Sequence, residues 1–293
     1  ASYILRFKKS TNKDKTKNMI NLKAYKMDGL GNDFIIFDNR KKSISLTKDQ
    51  IVKIADRNNI GCDQVIFIDE DKNSSAFLKF YNSDGGETSA CGNGSRCAAY
   101  LLIKEGKNKK ISMRTKVGIL EAELNNNNLI SINMGPPSFE WNKIPLVKNM
   151  DSKNLKIKIK NIEGKELIGG FSLSVGNPHI IFFVEDVSNF NLKEIGPRIE
   201  NHDYFPQKCN VTLASIKNKK HLRVKVWERG AGLTKACGTA ACATVVSGAC
   251  LNLNERYADV EFADGLLNID WKKNNNIYMT GKVSEVKKII INI

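Results

Sequence analysis

Cys91 and Cys237 stand in nearly the same heptapeptide. Gly86-Glu87-Thr88-Ser89-Ala90-Cys91-Gly92 and Gly232-Leu233-Thr234-Lys235-Ala236-Cys237-Gly238 agree at five of seven positions when the chain is slid against itself by 146 residues. A helical pattern follows each cysteine. Gly94 to Lys104 carries Cys97, Ala98, Leu101 and Leu102 on one stripe, and Thr239 to Ser247 is small and apolar nearly all round. Both thiols are therefore expected to head helices. The unpaired N–H groups and the roughly half unit of positive charge there lower a thiol pKa from about 8.5 towards neutrality. The amides of Gly92 and Asn93, and of Gly238 and Thr239, are suited to hold one anion between two helix ends. A carboxylate held in that way presents its α-carbon to a sulfur on each face. One thiolate removes the α-proton, the opposite thiol returns a proton, and the helix dipoles stabilise the enediolate charge. This is two-base racemisation.

Other landmarks keep the same spacing. Gly31-Asn32-Asp33-Phe34-Ile35-Ile36-Phe37 pairs with Gly176-Asn177-Pro178-His179-Ile180-Ile181-Phe182 at an offset of 145, and Gln64 with Asn210 and Asn82 with Glu228 at 146. Landmarks in one order and one spacing imply two copies of one domain, a single site in the cleft between two lobes, and one cysteine from each. The elements that must position these residues read as β-rich. Strand patterns cover 21–27, 34–38, 65–69, 76–81, 119–124 and 129–134 in the first copy, then 180–184, 211–216, 222–228 and 277–283. Thr47-Lys48-Asp49-Gln50 has the form of a capping box opening a short helix to Asp56. The expected fold is α+β: two pseudo-symmetric β-rich α/β lobes, each wrapped around a central helix. Residues 19–136 form the first lobe, completed by 283–293, and residues 137–282 the second, with the break near Gly135-Pro136-Pro137.

Composition excludes several classes. A chain of 293 residues, 41% hydrophobic and 26% charged, has a soluble globular composition, and its apolar runs are far shorter than the roughly 20 residues of a membrane span. The net charge of +15 invites a nucleic-acid reading. Six cations against one acid lie within residues 1–18, however, and most other Lys residues sit in Asn/Lys turns without aromatic residues for base stacking. Neither a specific nucleic acid nor a membrane is expected as a partner. Residues 1–18 lack a secretory core and read as a disordered basic leader, with Met19 a plausible start. Seven cysteines without an export signal suit a reducing cytoplasm. Cys62, Cys97, Cys209, Cys242 and Cys250 read as core residues, and the wide spacing of the close pairs leaves no metal site expected.

Four segments together resemble the diaminopimelate epimerases: Lys26 to Phe34, Asn82 to Gly94, Val175 to His179, and Glu228 to Ala240. The resemblance runs from about Met19 to the C-terminus. It implies a cofactor-independent, cytoplasmic isomerase, active as a homodimer without pyridoxal phosphate. Such an enzyme interconverts LL- and meso-diaminopimelate for lysine and peptidoglycan precursor synthesis. It implies Cys91 and Cys237 as the acid and base, with Gly92, Asn93, Gly238 and Thr239 on the reacting carboxylate. It also implies Asn32, Gln64, Asn82, Asn177, Asn210, Glu228 and Arg229 as substrate contacts, and His179 with Glu228 as the pair that tunes the cysteines. Arg229 suits a distal carboxylate and Glu228 an ammonium. Cys62 and Ala240 depart from the residues common at those positions. A proline or hydroxyproline racemase of the same fold is the alternative within this chemistry, and a basic nucleic-acid-binding protein the alternative outside it.

Overall fold

The computed structural model describes residues 3–4, 21–89 and 91–293. The chain forms two compact units, one of residues 1–130 with 282–293 and the other of residues 131–281. Of the leader read as disordered, Tyr3–Ile4 form a short strand in parallel register with Ile289 and Ile290. The rest of 1–18 lies outside the described residues, as does Ala90.

In the first unit Lys287–Asn292, Asn21–Gly29, Asn32–Asp38, Gln64–Asp69, Phe77–Asn82, Lys110–Thr115 and Gly118–Leu124 pair in that order. The senses run antiparallel, antiparallel, parallel, antiparallel, parallel and antiparallel. Helix α1 (Lys48–Ala55) makes the parallel crossover between the third and fourth of these strands. The expected capping box is present: the Thr47 side chain accepts from the Gln50 N–H, and the Gln50 side chain accepts from the Thr47 N–H. Helix α2 (Gly92–Glu105) follows Cys91 and is buried on most of its circumference. It can lie against the strands because residue 94 has no side chain. A Cβ there would stand 2.7 Å from Ile66 Cδ1 and 3.3 Å from ring carbons of Phe34 and Phe80.

The second unit repeats the last five of these pairings and adds one at its end. Phe171–Ser174, Pro178–Phe183, Asn210–Asn218, His221–Glu228, Tyr257–Phe262, Gly265–Trp271 and Ile277–Lys282 pair antiparallel, parallel, antiparallel, parallel, antiparallel and antiparallel. Register is preserved along with order: Phe80 pairs with Thr88, and Val226 with Thr234, each 146 residues on. Helix α3 (Leu192–Glu200) stands where α1 does. It contains Gly196-Pro197, a dipeptide more usual in turns, yet Asn191 caps it and Leu192, Ile195 and Ile199 bury one apolar face. Helix α4 (Gly238–Cys250) is the central helix of this unit, buried almost throughout. Ala240 takes the place of Gly94 and is fully buried, so this departure is a packing residue. The architecture is α+β, with each central helix headed by one of the two repeated cysteines.

Candidate active site

In the first unit Cys91 is the N-cap of α2, extended at φ −147°, and its Sγ accepts from the Gly94 N–H at 3.4 Å. Gly92 and Asn93 open the helix, where amide N–H groups have no partner within the helix itself. Asn93 is buried, and its Nδ2 donates to Asn32 Oδ1 at 2.6 Å. Asn32 Nδ2 in turn donates to Asp63 Oδ2 at 3.1 Å. Gln64 and Asn82 are register partners on adjacent strands, and Gln64 Nε2 donates to Asn82 Oδ1 at 2.8 Å. Buried and without a hydrogen-bond partner among the described residues, Gln64 Oε1 and Asn93 Oδ1 are acceptors left for a ligand. Four of the residues expected on this side thus form two hydrogen-bonded pairs, Asn32 with Asn93 and Gln64 with Asn82 on neighbouring strands.

Sequence reasoning did not single out Asp63, Asp33 or Arg57. The Arg57 guanidinium donates to both Asp33 oxygens at 2.7 and 2.8 Å and to Asp63 Oδ1 at 2.6 Å. Burial alone would raise the Asp33 carboxyl, but Arg57, with Lys26, holds it below its ordinary range. Their signal was position, since Asp63 immediately precedes Gln64 and Asp33 follows Asn32. Cys62 is core: burial, then the Asp33 charge, push its thiol up to about 12. Cys97, Cys209 and Cys242 are likewise buried, while Cys250 is half-buried.

The second unit is wired differently. Cys237 is the N-cap of α4, and the Ala240 backbone N–H, the counterpart of Gly94, lies towards its sulfur. It also faces the Thr239 hydroxyl at 3.4 Å. Thr239 Oγ1 accepts from Asn177 Nδ2 at 3.4 Å and lies 3.0 Å from His179 Nε2, which is itself 2.9 Å from Asn177 Oδ1. Burial, and then the Arg229 charge, depress the fully buried His179 to about 3, so the ring is neutral. Because Asn177 presents an acceptor, Nε2 carries the ring proton. Thr239 Oγ1 is then surrounded by donors, and its own hydrogen is free to go to the Cys237 sulfur.

One of the expected contacts is also a clamp. Asn210 Oδ1 accepts from the Arg229 N–H at 2.9 Å and its Nδ2 donates to the Pro178 carbonyl at 2.9 Å, leaving one N–H for a ligand. Glu200, a buried acid that sequence reasoning passed over, accepts from Trp227 Nε1 at 2.7 Å and the Gly230 N–H at 2.9 Å, gripping Glu228 and Arg229 from both sides. Arg229 is exposed and donates to the Gln207 carbonyl at 3.0 Å.

The lowered thiol pKa expected at a helix start does not hold at Cys237. The residue is 6% exposed, and burial followed by the Glu228 charge pushes its thiol well above the ordinary value. Burial raises the Glu228 carboxyl too. Cys237 is therefore held as the neutral thiol.

A sequence model of the family described as Diaminopimelate epimerase matches residues 24–140 and 171–286, once in each repeat. The chain belongs to the diaminopimelate epimerase family. It is 52% identical over 274 residues to a diaminopimelate epimerase of Pelagibacter ubique, covering 94% of this chain and all of that one. It is 41% identical over 270 residues to a diaminopimelate epimerase of Caulobacter sp. strain K31, covering 88% and 93%. Among solved structures, a phenazine biosynthesis protein of the PhzF family from Bacillus anthracis superposes with a TM-score of 0.66. That match covers 94% of this chain and all of that one, and its 17% identity shows a shared fold alone. No helix among the described residues is long and apolar enough to cross a membrane.

Proposed function

We propose that this protein is a diaminopimelate epimerase that inverts one α-carbon by two-base proton transfer between Cys91 and Cys237. The observation that carries the reading is the position of both cysteines, in a member of this family, as N-caps of the two central helices. In one direction the thiolate of Cys91 takes the α-proton and becomes a thiol. The electron pair of the broken C–H bond enters the carboxylate as an enediolate, held by helix-start amides at Gly92, Asn93, Gly238 and Thr239. The thiol of Cys237 then protonates the opposite face and is left as the thiolate. The reverse reaction exchanges the roles. The raised pKa of Cys237 suits it to begin as the proton donor.

Asn32, Gln64, Asn82, Asn177, Asn210, Glu228 and Arg229 contact the substrate in this proposal, and His179 acts through Thr239. The finer parts of the reading are a cytoplasmic homodimer serving lysine and peptidoglycan precursor synthesis, and they rest on family membership. The test is α-proton exchange in deuterated water with LL-diaminopimelate and, separately, proline. Exchange on diaminopimelate alone is expected. Cys91→Ala and Cys237→Ala should each lower racemising turnover by roughly 100-fold or more, the scale of a lost general acid or base. An inert wild-type protein, or a cysteine variant with near-normal turnover, sinks the assignment.

A further inference from the structure

We propose that Asp63 is a positioning residue that fixes the polarity of the Asn32–Asn93 amide pair, so that Asn93 Oδ1 serves as an acceptor for a substrate N–H. The inference rests on the site reading above and extends it to two side-chain roles, of Asp63 and Asn93.

A carboxylate can only accept, so its neighbour on Asn32 must be the NH2 group. Asp63 Oδ2 receives Asn32 Nδ2 at 3.1 Å, and the Asp33 N–H at 3.2 Å. Its other oxygen, Oδ1, is occupied by Arg57 at 2.6 Å. Arg57 binds Asp33 as well, and the Asp63 N–H donates to Asp33 Oδ1 at 3.0 Å, so both carboxylates are braced around one cation. With Asn32 Nδ2 fixed, Asn32 Oδ1 must face Asn93, and Asn93 must answer with Nδ2, at 2.6 Å. Asn93 Oδ1 is what remains. It is buried, has no hydrogen-bond partner among the described residues, and belongs to the first turn of the helix that Cys91 caps. An unpaired buried acceptor is costly unless a ligand completes it. The chemistry that completes it is an N–H donor, which the ammonium beside the reacting α-carbon supplies. Asn32, by the same accounting, keeps one Nδ2 hydrogen to donate.

Asp63→Asn is nearly isosteric and allows the chain of hydrogen bonds to run backwards. With its NH2 turned to Asn32, which gives up the bond from the Asp33 N–H, the introduced carboxamide would donate to Asn32 Oδ1, Asn32 would donate to Asn93 Oδ1, and an N–H would replace the acceptor. Expected is a fall in kcat/KM for diaminopimelate of roughly 10- to 100-fold, carried mainly by KM. Asn93→Ala should fall similarly, and the double variant should be no worse than Asn93→Ala alone, because Asp63 acts through Asn93. Additive losses, or Asp63→Asn within about twofold of wild type, overturn the proposal. Side-chain amide signals of Asn32 and Asn93, recorded by NMR on the ligand-free protein, give a readout independent of turnover. They should move in Asp63→Asn, and unchanged signals also overturn the proposal. Absence of exchange on diaminopimelate in the wild type would sink the functional reading while the NMR outcome still decides the orientation. Should Asp63→Asn fail to fold, Arg57→Gln loosens the same carboxylate and should show a smaller loss that is equally absent in the Asn93→Ala background. A loss that persists there counts against the proposal.

Discussion

The two repeats keep one contact and reverse its direction. In the first, Asn93 donates to Asn32; in the second, Asn177 donates to Thr239, the residue at the place of Asn93. The reversal follows from what anchors the asparagine. Asp63, an acceptor, takes the NH2 of Asn32, whereas neutral His179, a donor at Nε2, takes the carbonyl of Asn177. The consequence reaches each cysteine. The first repeat ends in a bare acceptor on Asn93. The second ends in a hydroxyl aimed at the Cys237 sulfur, beside a buried carboxylate. The duplicated fold thus supplies two helix-capping thiols, and on the two-base proposal the hydroxyl beside Cys237 suits it to begin as the acid.

Removing the hydroxyl tests this difference most directly. Thr239→Val keeps the shape and loses the hydrogen bond to sulfur, which for a thiolate is worth about 1.5–3 kcal/mol. Expected is a kcat lower by roughly 10- to 100-fold, with the limb of the pH profile that reports Cys237 ionisation displaced to higher pH. Thr239→Ser should restore both. A valine variant with an unshifted profile would mean that the hydroxyl only packs.

His179 gives the next largest effect, on stability. Its folded pKa, about 3, lies below the unfolded value near 6.5. Between these values the unfolded chain binds a proton that the folded chain refuses. Stability is therefore unaffected above about pH 6.5 and falls as the pH drops through this window, by about 2 kcal/mol between pH 6.5 and 5. Denaturant melts of wild type and His179→Gln at both pH values check it: the variant should lose less on acidification, and equal losses would contradict a neutral buried ring.

The repeat itself was legible in the sequence because strand registers and helix starts are fixed by local patterns, and these patterns recur at one offset. Phe34 to Asp38 and Ile180 to Val184 alternate or run apolar as buried strands do, and Gly-flanked cysteines before apolar stretches mark helix starts. Helix α3 was not legible. Gly196-Pro197 carries a turn signal, and only the Trp227 ring, which would stand 2.7 Å from a Cβ at residue 196, explains why a glycine is there. Hydrogen-bond direction was hidden for a related reason. Asp63, Glu200 and the tautomer of His179 act through partners 27 to 60 residues away, and sequence spacing has no term for them. The expected helix-start lowering of the Cys237 pKa failed because burial, invisible in a motif, outweighs a half charge.

The smallest contrast lies in the two turns that follow the strands ending at Asn82 and Glu228. In the first repeat close packing holds the turn. Gly85 has φ +75°, and a Cβ there would come 2.6 Å from Lys48 Cγ and 3.0 Å from the Lys48 carbonyl of α1. In the second repeat a side chain from the matching helix does the holding, through the two hydrogen bonds from Glu200 to Trp227 and Gly230. The turns should therefore fail differently. Gly85→Ala imposes strain at a positive φ and a clash with backbone, a cost of about 1–3 kcal/mol that lowers Tm. Since Asn82 keeps its bond from Gln64, KM should change little. Glu200→Gln leaves one of two buried N–H groups facing an NH2, a loss of about 1–2 kcal/mol, and frees the backbone on both sides of Arg229. Here KM for diaminopimelate should rise about two- to fivefold, the effect of loosening a group that only binds. If both variants lower Tm and neither moves KM, the carboxylate clamp is ordinary packing and the two turns are equivalent after all.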